Sequence, residues 1–300
     1  MSVASWWRQA IILSMDARRR AILGAGLALY ANRVFPQVEV KLPKIGLGTW
    51  QTFDAGSSAS ARAPLREVLK LLDGNVVDSS PMYGSSESVA GDLIAELGMR
   101  ERLFVATKVW TSGREDGIAQ METSFQRLRV KVMDLMQVHN LVDVGTHTKT
   151  LQQWKSDGRV RHIGITHYTS SAYGEVERWL KSAPYDFLQI NYSLGEREAE
   201  QRLLPLAAER KVRVIINRPF AEGALFRRTK GKQLPPWAAE LGIASWAQYF
   251  LKWIVSHPSV TCAIPGTGRA DHMKDNLAAG NGPMPDASAR KRMQEYFDSL

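Results

Sequence analysis

One pattern repeats along the chain from Ile45 onward: a short run rich in β-branched residues, then a longer amphipathic segment. The longer segments have a helical period, as where Leu65, Val68, Leu69 and Leu72 recur three and four positions apart. Most intervals between the short runs are about thirty residues, the size of a βα unit. We interpret the short runs as strands, at residues 45–49, 76–78, 103–108, 135–139, 161–166, 187–191, 213–217 and 261–265.

Eight βα units in tandem predict an α/β fold of the (β/α)8, or TIM, barrel type, whose usual size is about 250 residues. The alternative is an open doubly wound sheet. Such a sheet usually has a glycine-rich turn after its first strand, and no such turn follows Thr49. We therefore predict a barrel with a C-terminal helix over residues 41–300 and an N-terminal extension over residues 1–40.

Polar side chains stand at the ends of most of the predicted strands. In a barrel the C-terminal ends of all strands meet on one face, where active sites are built. A single polar residue at such a place is better explained as a helix cap, but the repetition predicts a catalytic face. These polar residues are Asp78, Lys108, His139, Thr166 with His167, Gln189 with Asn191, Asn217 with Arg218, and Gly266 with Thr267.

An acid, a lysine and a histidine end three consecutive strands, and Tyr83 lies on the loop after the first of them. A lysine inside a strand is costly to bury, so Lys108 needs a carboxylate partner, and Asp78 is the nearest candidate. An ammonium beside a phenol favours the phenolate, so we expect a lowered pKa for Tyr83 and a role in general acid–base chemistry. His139 is then placed to hydrogen-bond a substrate oxygen. Taken singly, each residue has an alternative: a surface salt bridge, a packed loop tyrosine or a core histidine.

The motifs Asp78-x4-Tyr83-Gly84, Ala106-Thr107-Lys108 and Gln137-Val138-His139 resemble the catalytic tetrad of the aldo-keto reductases. The stretch from Ile45 to Trp50 is similar to the first barrel strand of that family. The resemblance implies an NADPH-dependent reductase of aldehydes or ketones. It also implies that Tyr83 is the proton donor, that Lys108 and Asp78 tune it, and that His139 orients the carbonyl. The alternative is a cofactor-binding regulatory or interaction protein with little turnover, because the family includes channel-associated subunits.

The resemblance also assigns residues to the cofactor. Asn217 stands where a tyrosine commonly stacks on the nicotinamide, and Gly266 and His272 stand where a lysine and an arginine commonly bind the 2′-phosphate. Arg269 offers a planar fork suited to that phosphate, so NADPH is expected while NADH is not excluded. The implied cofactor positions are Thr166, His167, Gln189, Asn217, Arg218, Gly266, Thr267, Arg269 and Asn276.

Aromatic residues follow the first and third predicted strands. Trp50 and Trp110 are expected to wall the mouth of the barrel, which suits a small apolar or aromatic carbonyl compound. Phe53 either joins this wall or packs under a loop. A single cysteine, Cys262, excludes an internal disulfide and a cysteine-rich zinc site, and we predict no metal. The net charge of +9 suits an anionic partner, but no basic stripe is interleaved with aromatic residues, so we predict no nucleic-acid partner.

The extension has a basic run at residues 18–20 before an apolar stretch at residues 21–31. That stretch is too short for a stable membrane span, which needs about 20 apolar residues. Arg19-Arg20 with Ile22-Leu23 resembles a twin-arginine export signal, although no clean Ala-x-Ala cleavage site follows. We therefore expect export to the periplasm. The alternative is a cytoplasmic protein with a basic N-terminal extension.

Overall fold

Eight parallel strands form one sheet in chain order, β1 to β8, in the computed structural model, which describes residues 41–300. Parallel bridges from Ile45 to Ala263 and from Gly48 to Gly266 join the first strand to the last and close the sheet. The predicted (β/α)8 barrel is therefore confirmed. The strands are β1 (Leu47–Gly48), β2 (Val76–Asp78), β3 (Phe104–Val109), β4 (Met133–His139), β5 (Val160–Thr166), β6 (Phe187–Asn191), β7 (Arg213–Asn217) and β8 (Cys262–Ala263). The predicted export signal lies outside the described residues.

Helices follow the strands and cover the outside of the barrel. Within residues 41–300, none of them combines the length and apolar composition needed to cross a bilayer. The helices are α1 (Ala59–Leu69), α2 (Ser86–Glu96), α3 (Arg114–Arg127), α4 (Val144–Ser156), α5 (Tyr173–Ser182), α6 (Leu203–Glu209), α7 (Ala224–Arg228), α8 (Trp246–Val255), α9 (Ala270–Ala278) and α10 (Ala287–Asp298). Short 3₁₀ turns lie at Arg100–Arg102, Ser170–Ala172, Glu198–Glu200, Ala221–Gly223 and Pro236–Leu241.

Helices are found where the amphipathic segments predict them, but some begin before the first residue of the apolar pattern. The helix α1 begins at Ala59, whereas its apolar pattern begins at Leu65. In α1 the first turn is polar and is capped by the Ser58 hydroxyl, which accepts the Ala61 N–H at 3.3 Å. The helical segment between β6 and β7 is divided into the 3₁₀ turn at Glu198–Glu200 and the helix α6. Pro205 has no N–H to donate to the preceding turn, and it is tolerated in the first turn of α6.

The C-terminal helix α10 packs against α8 on the outside of the barrel. Phe297 is buried against Phe250, with ring centroids 5.9 Å apart, and the Tyr249 hydroxyl donates to the Met293 carbonyl at 2.7 Å. Lys252 is fully buried and donates to three backbone carbonyls, those of Leu241, Asn281 and Pro283, at 2.6–3.1 Å. This lysine ties the segments on either side of α8 together, because a buried ammonium must be hydrogen-bonded.

Backbone strain is concentrated at the C-terminal face of the barrel. In the described part of the chain, nine non-glycine residues have a left-handed backbone, and only Arg129 and Lys211 follow helices. A side chain is disfavoured in this conformation, so it persists only where the surroundings impose it, commonly near functional sites. The other seven lie in loops after β1, β4 and β7: Gln51, Asn140, Leu141, Asp143, Arg218, Ala221 and Glu222.

Candidate active site

The Asp78 carboxylate, at the end of β2, is buried and accepts hydrogen bonds from side chains of three other strands of the barrel. Lys108 Nζ on β3 lies 2.5 Å from its Oδ2. The side-chain amides of Gln137 on β4 and Gln189 on β6 donate to its Oδ1 at 3.1 and 3.0 Å. Both carboxylate oxygens therefore have donors, as a buried charge requires.

Lys108 is fully buried and holds two partners at once. Its ammonium donates to Asp78 and also to the Ser79 carbonyl at 2.7 Å. Burial lowers the pKa of Lys108, but the nearby Asp78 carboxylate and the Tyr83 oxygen outweigh this effect and leave the pKa above its usual value. The site therefore contains a permanent cation.

Tyr83 is held on the β2–α2 loop by a tight turn. Gly84 has a left-handed backbone (φ +59°), and a Cβ there would lie only 2.3 Å from an Asp54 carboxylate oxygen. That carboxylate accepts the N–H and hydroxyl of Ser85 at 2.8 and 2.7 Å. Only glycine satisfies both requirements, so Gly84 fixes the point from which Tyr83 projects.

The Tyr83 ring lies over the buried cation and beside His139. Lys108 Nζ is 4.9 Å from the ring centroid, and the rings of Tyr83 and His139 meet edge to face with centroids 5.9 Å apart. Burial raises the pKa of Tyr83, the Lys108 charge lowers it, and the net direction is upward. The expectation of a lowered pKa is therefore wrong for this structure. Loss of water around the hydroxyl outweighs the ammonium, and the phenol is neutral at ordinary pH.

His139 is a buried, neutral imidazole. Its Nδ1 lies 3.0 Å from the Ser80 hydroxyl oxygen, and its ring is 6.4 Å from that of Trp110. Burial, followed by the positive charge of Lys108, lowers the pKa of His139 to about 2. A neutral imidazole carries one N–H, so His139 is able to donate one hydrogen bond.

Three of the residues assigned to the nicotinamide lie together on β5, β6 and β7. The Thr166 hydroxyl donates to Gln189 Oε1 at 3.3 Å, and the Asn217 amide donates to the His167 carbonyl at 3.1 Å. Asn217 Oδ1 is buried and accepts no hydrogen bond from the described residues. A buried acceptor that lacks a donor is suited to receive a hydrogen bond from the N–H of a nicotinamide carboxamide.

The loop after β8 fits an anion. It leads into α9, whose first N–H groups and helix dipole favour negative charge. Gly266 lies so close to β1 that a Cβ there would be 3.3 Å from the Gly48 carbonyl oxygen, which leaves little room for a side chain on that side. The Thr267 hydroxyl accepts the Arg269 N–H at 3.1 Å and shapes the turn, and Asn276 is buried.

The two arginines assigned to the cofactor, Arg269 and Arg218, already have partners within the protein. The Arg269 guanidinium donates to both oxygens of Asp271, at 3.1 and 2.5 Å, and it holds the pKa of that carboxyl below its usual range. Both side chains are about two-thirds exposed, so this ion pair is weak. Arg218 donates to the Tyr168 carbonyl at 2.8 Å and lies 3.6 and 3.4 Å from the carboxylates of Glu196 and Glu222. A phosphate at Arg269 would have to replace Asp271.

The aromatic residues expected at the mouth divide into two groups. Trp50 and Trp110 are 43% and 41% exposed, and Trp110 lies beside His139. Phe53 is fully buried in the core, so of the two alternatives for this residue the structure supports packing under the loop and contradicts lining the pocket. Its backbone N–H bonds to the Thr49 carbonyl in a tight turn, which carries the ring inward.

Sequence reasoning missed two participants. Gln137 is two residues before His139 on β4, so both side chains point to the same side of the strand, and this alternation was the available signal. Ser80 offered no such signal, because its contact with His139 joins residues 59 positions apart.

Comparison with known proteins agrees with this geometry. The family model described as "Aldo/keto reductase family" matches residues 44–294. Methylglyoxal reductase YeaE of Escherichia coli (strain K12) is 28% identical over 248 residues, which cover 80% of this chain and 86% of that protein. The NADH-specific methylglyoxal reductase of the same organism is 23% identical over 324 residues, covering 87% and 97%. The crystal structure of an aldo/keto reductase from Klebsiella pneumoniae in complex with NADP and acetate matches with a TM-score of 0.71 and 25% identity, covering 85% and 92% of the two chains.

Proposed function

The chain belongs to the aldo/keto reductase family and is an NAD(P)H-dependent oxidoreductase; from this premise we propose that it reduces a small aldehyde or ketone to an alcohol with Tyr83 as proton donor and NADPH as preferred cofactor. The observation that carries the proposal is the neutral phenol of Tyr83, which lies over the Lys108 ammonium and against the neutral imidazole of His139.

The chemistry needs one hydride and one proton for each carbonyl. The bound nicotinamide cofactor supplies the hydride, with its two electrons, to the carbonyl carbon. As negative charge develops on the carbonyl oxygen, the N–H of His139 and the O–H of Tyr83 are the donors that stabilise it. The Tyr83 O–H bond then breaks, its proton forms the alcohol O–H, and solvent later returns a proton to the phenolate.

Lys108 has its largest effect after the proton has been transferred, when Tyr83 is a phenolate. The resting phenol is neutral, and its pKa is raised by burial. Once Tyr83 has given up its proton, the ammonium is next to a phenolate, and the attraction is strongest in that state. Asp78 is the ammonium's carboxylate partner, and the amides of Gln137 and Gln189 hold that carboxylate in place.

The substrate is a small carbonyl compound. One relative is named a methylglyoxal reductase and another an NADH-specific methylglyoxal reductase, so methylglyoxal is a suitable first substrate for assay. Trp50 and Trp110 are both exposed, and Trp110 is adjacent to His139. Their rings suit the apolar part of an aldehyde or ketone.

The NADPH preference rests on Arg269. Its planar guanidinium suits a phosphate monoester, and the exposed ion pair with Asp271 is weak enough to open. Gly266 and His272 occupy positions from which family members commonly contribute further positive charge. The preference for NADPH over NADH is therefore expected to be modest.

The test is Tyr83→Phe, assayed with NADPH and a panel of aldehydes that includes methylglyoxal. We expect reduction to fall about 100-fold or more while the Kd for NADPH stays within about twofold, because a general acid contributes about that much. Tyr185→Phe is the matched control: that buried tyrosine bonds Thr148 away from the site and should leave reduction unchanged. Reduction by Tyr83→Phe at the wild-type rate would refute the mechanism. Tight NADPH binding without turnover by the wild type would support the cofactor-binding regulatory protein instead.

A further inference from the structure

The hydroxyl of Ser80 is buried next to the histidine of the site. Ser80 is fully buried, and its Oγ lies 3.0 Å from His139 Nδ1. The same oxygen accepts a long hydrogen bond, 3.5 Å, from the Met82 N–H. Ser80 lies between Asp78 and Tyr83, so one short segment carries two of the four residues of the site and contacts the other two, Lys108 and His139.

Two proton arrangements are consistent with this contact. In one, the Ser80 hydroxyl donates to Nδ1, and the single imidazole proton is on Nε2. In the other, Nδ1–H donates to the serine oxygen, and Nε2 has no proton. Only the first arrangement leaves His139 with an N–H that can point to a carbonyl oxygen.

The Ser80 hydroxyl proton needs an acceptor, and this need distinguishes the two arrangements. A serine hydroxyl donates one hydrogen bond, and among the described residues His139 Nδ1 is the acceptor within reach of this one. If Nδ1 carried the proton, the Ser80 O–H would be buried without an acceptor, which is costly. The Met82 N–H does not remove this difficulty, because it bonds to a lone pair and not to the hydroxyl proton.

We propose that Ser80 is a positioning residue that holds His139 in the tautomer protonated on Nε2, so that Nε2–H is the donor to the substrate oxygen. The proposal rests on the proposed function, since a tautomer matters only where His139 meets a carbonyl. Lys108 assists, because its positive charge disfavours a second proton on the ring.

The tautomer is measured by ¹⁵N NMR of the full chain labelled at histidine, at pH 7 and without substrate. The ring nitrogens of neutral histidine differ strongly in shift according to which one is protonated. The chain has six histidines, and His139→Asn identifies the pair of signals that belongs to His139. We expect a protonated Nε2 and a bare, hydrogen-bonded Nδ1 in the wild type.

Ser80→Ala removes the donor. We expect the two nitrogen shifts of His139 to move toward each other, and kcat to fall about tenfold with the Kd for NADPH unchanged, the loss expected for one hydrogen bond. Ser86→Ala is the matched control, because this buried serine in the same region contacts the Thr49 carbonyl at 3.5 Å and not His139. It should change neither the shifts nor kcat.

Two results would overturn the proposal: a wild-type His139 protonated on Nδ1, or Ser80→Ala with unchanged His139 shifts. Neither result would contradict the proposed role of Tyr83 as proton donor, although protonation on Nδ1 would also remove the proposed hydrogen bond from His139 to the substrate oxygen. Failure of the proposed proton donor is detected separately, by the loss or retention of reduction in Tyr83→Phe.

Discussion

Replacing Lys108 by methionine is expected to destabilise the protein by about 3–5 kcal/mol, because it leaves the Asp78 carboxylate buried without its counter-charge. The side chains of Lys108 and Asp78 are 0% and 3% exposed, and their charged atoms are 2.5 Å apart. Methionine is similar to lysine in length and shape, so the change removes the charge with little loss of packing.

The magnitude follows from the geometry. At 2.5 Å and an effective dielectric constant of about 20, the attraction within the pair is about 7 kcal/mol before the cost of burying the two charges is subtracted. Gln137 and Gln189 still donate to Asp78 in the variant, so the carboxylate keeps part of its stabilisation. The expected loss is therefore smaller than the attraction.

The assay is urea denaturation followed by tryptophan fluorescence, with Asp78→Asn, Lys108→Met and the double variant compared as a cycle. The double variant should be more stable than Lys108→Met, because it has no unpaired buried charge. Lys155→Met is the control: its ion pair with Asp186, at 2.6 Å, is partly exposed and should contribute about 1 kcal/mol. A loss below about 1 kcal/mol for Lys108→Met, or a double variant no more stable than it, would refute this reasoning.

Two further predictions concern activity. The kcat/KM for reduction should be constant from about pH 6 to pH 9, because His139, with its pKa near 2, stays neutral and Tyr83, with its pKa raised above the usual value of about 10, keeps the proton it must donate. A pH profile in which the rate instead falls with a midpoint near pH 7 would contradict these assignments. Asp271→Asn should release Arg269 and tighten NADPH about two- to fivefold with a much smaller change for NADH, as measured by fluorescence titration. An equal change for both cofactors would show that Arg269 does not meet the 2′-phosphate.

The strands could be predicted from the sequence because barrel strands are buried and rich in β-branched residues, and this pattern is local. The predicted strand at residues 213–217 has the bounds of β7, and that at residues 76–78 has those of β2. Helix starts were less predictable. The first turns of α1 and α3 are polar, and the pattern of apolar residues begins only where each helix meets the barrel.

The site could be predicted less completely, since its properties depend on contacts between distant segments. The ends of β2, β3 and β4 indicated Asp78, Lys108 and His139. The pKa direction of Tyr83 depends on how much water the packed loop excludes, and no sequence pattern carries that quantity. The pairing of Arg269 with Asp271 is different. These residues are only two positions apart, so the sequence already showed that Asp271 could compete for the side chain that we propose to bind the 2′-phosphate.

The upward shift of the Tyr83 pKa changes the role that should be assigned to the buried ammonium of Lys108. If Lys108 served to acidify the resting phenol, a lowered pKa would be required, and the donor would be partly ionised near the working pH. With the pKa raised, the resting site places its full charges on Asp78 and Lys108, which compensate each other, and keeps Tyr83 and His139 neutral. In the proposed mechanism both neutral groups are donors while the carbonyl oxygen gains charge. The ammonium would then act mainly after the proton has moved, when it stabilises the phenolate, and so it would favour the transition state over the resting enzyme.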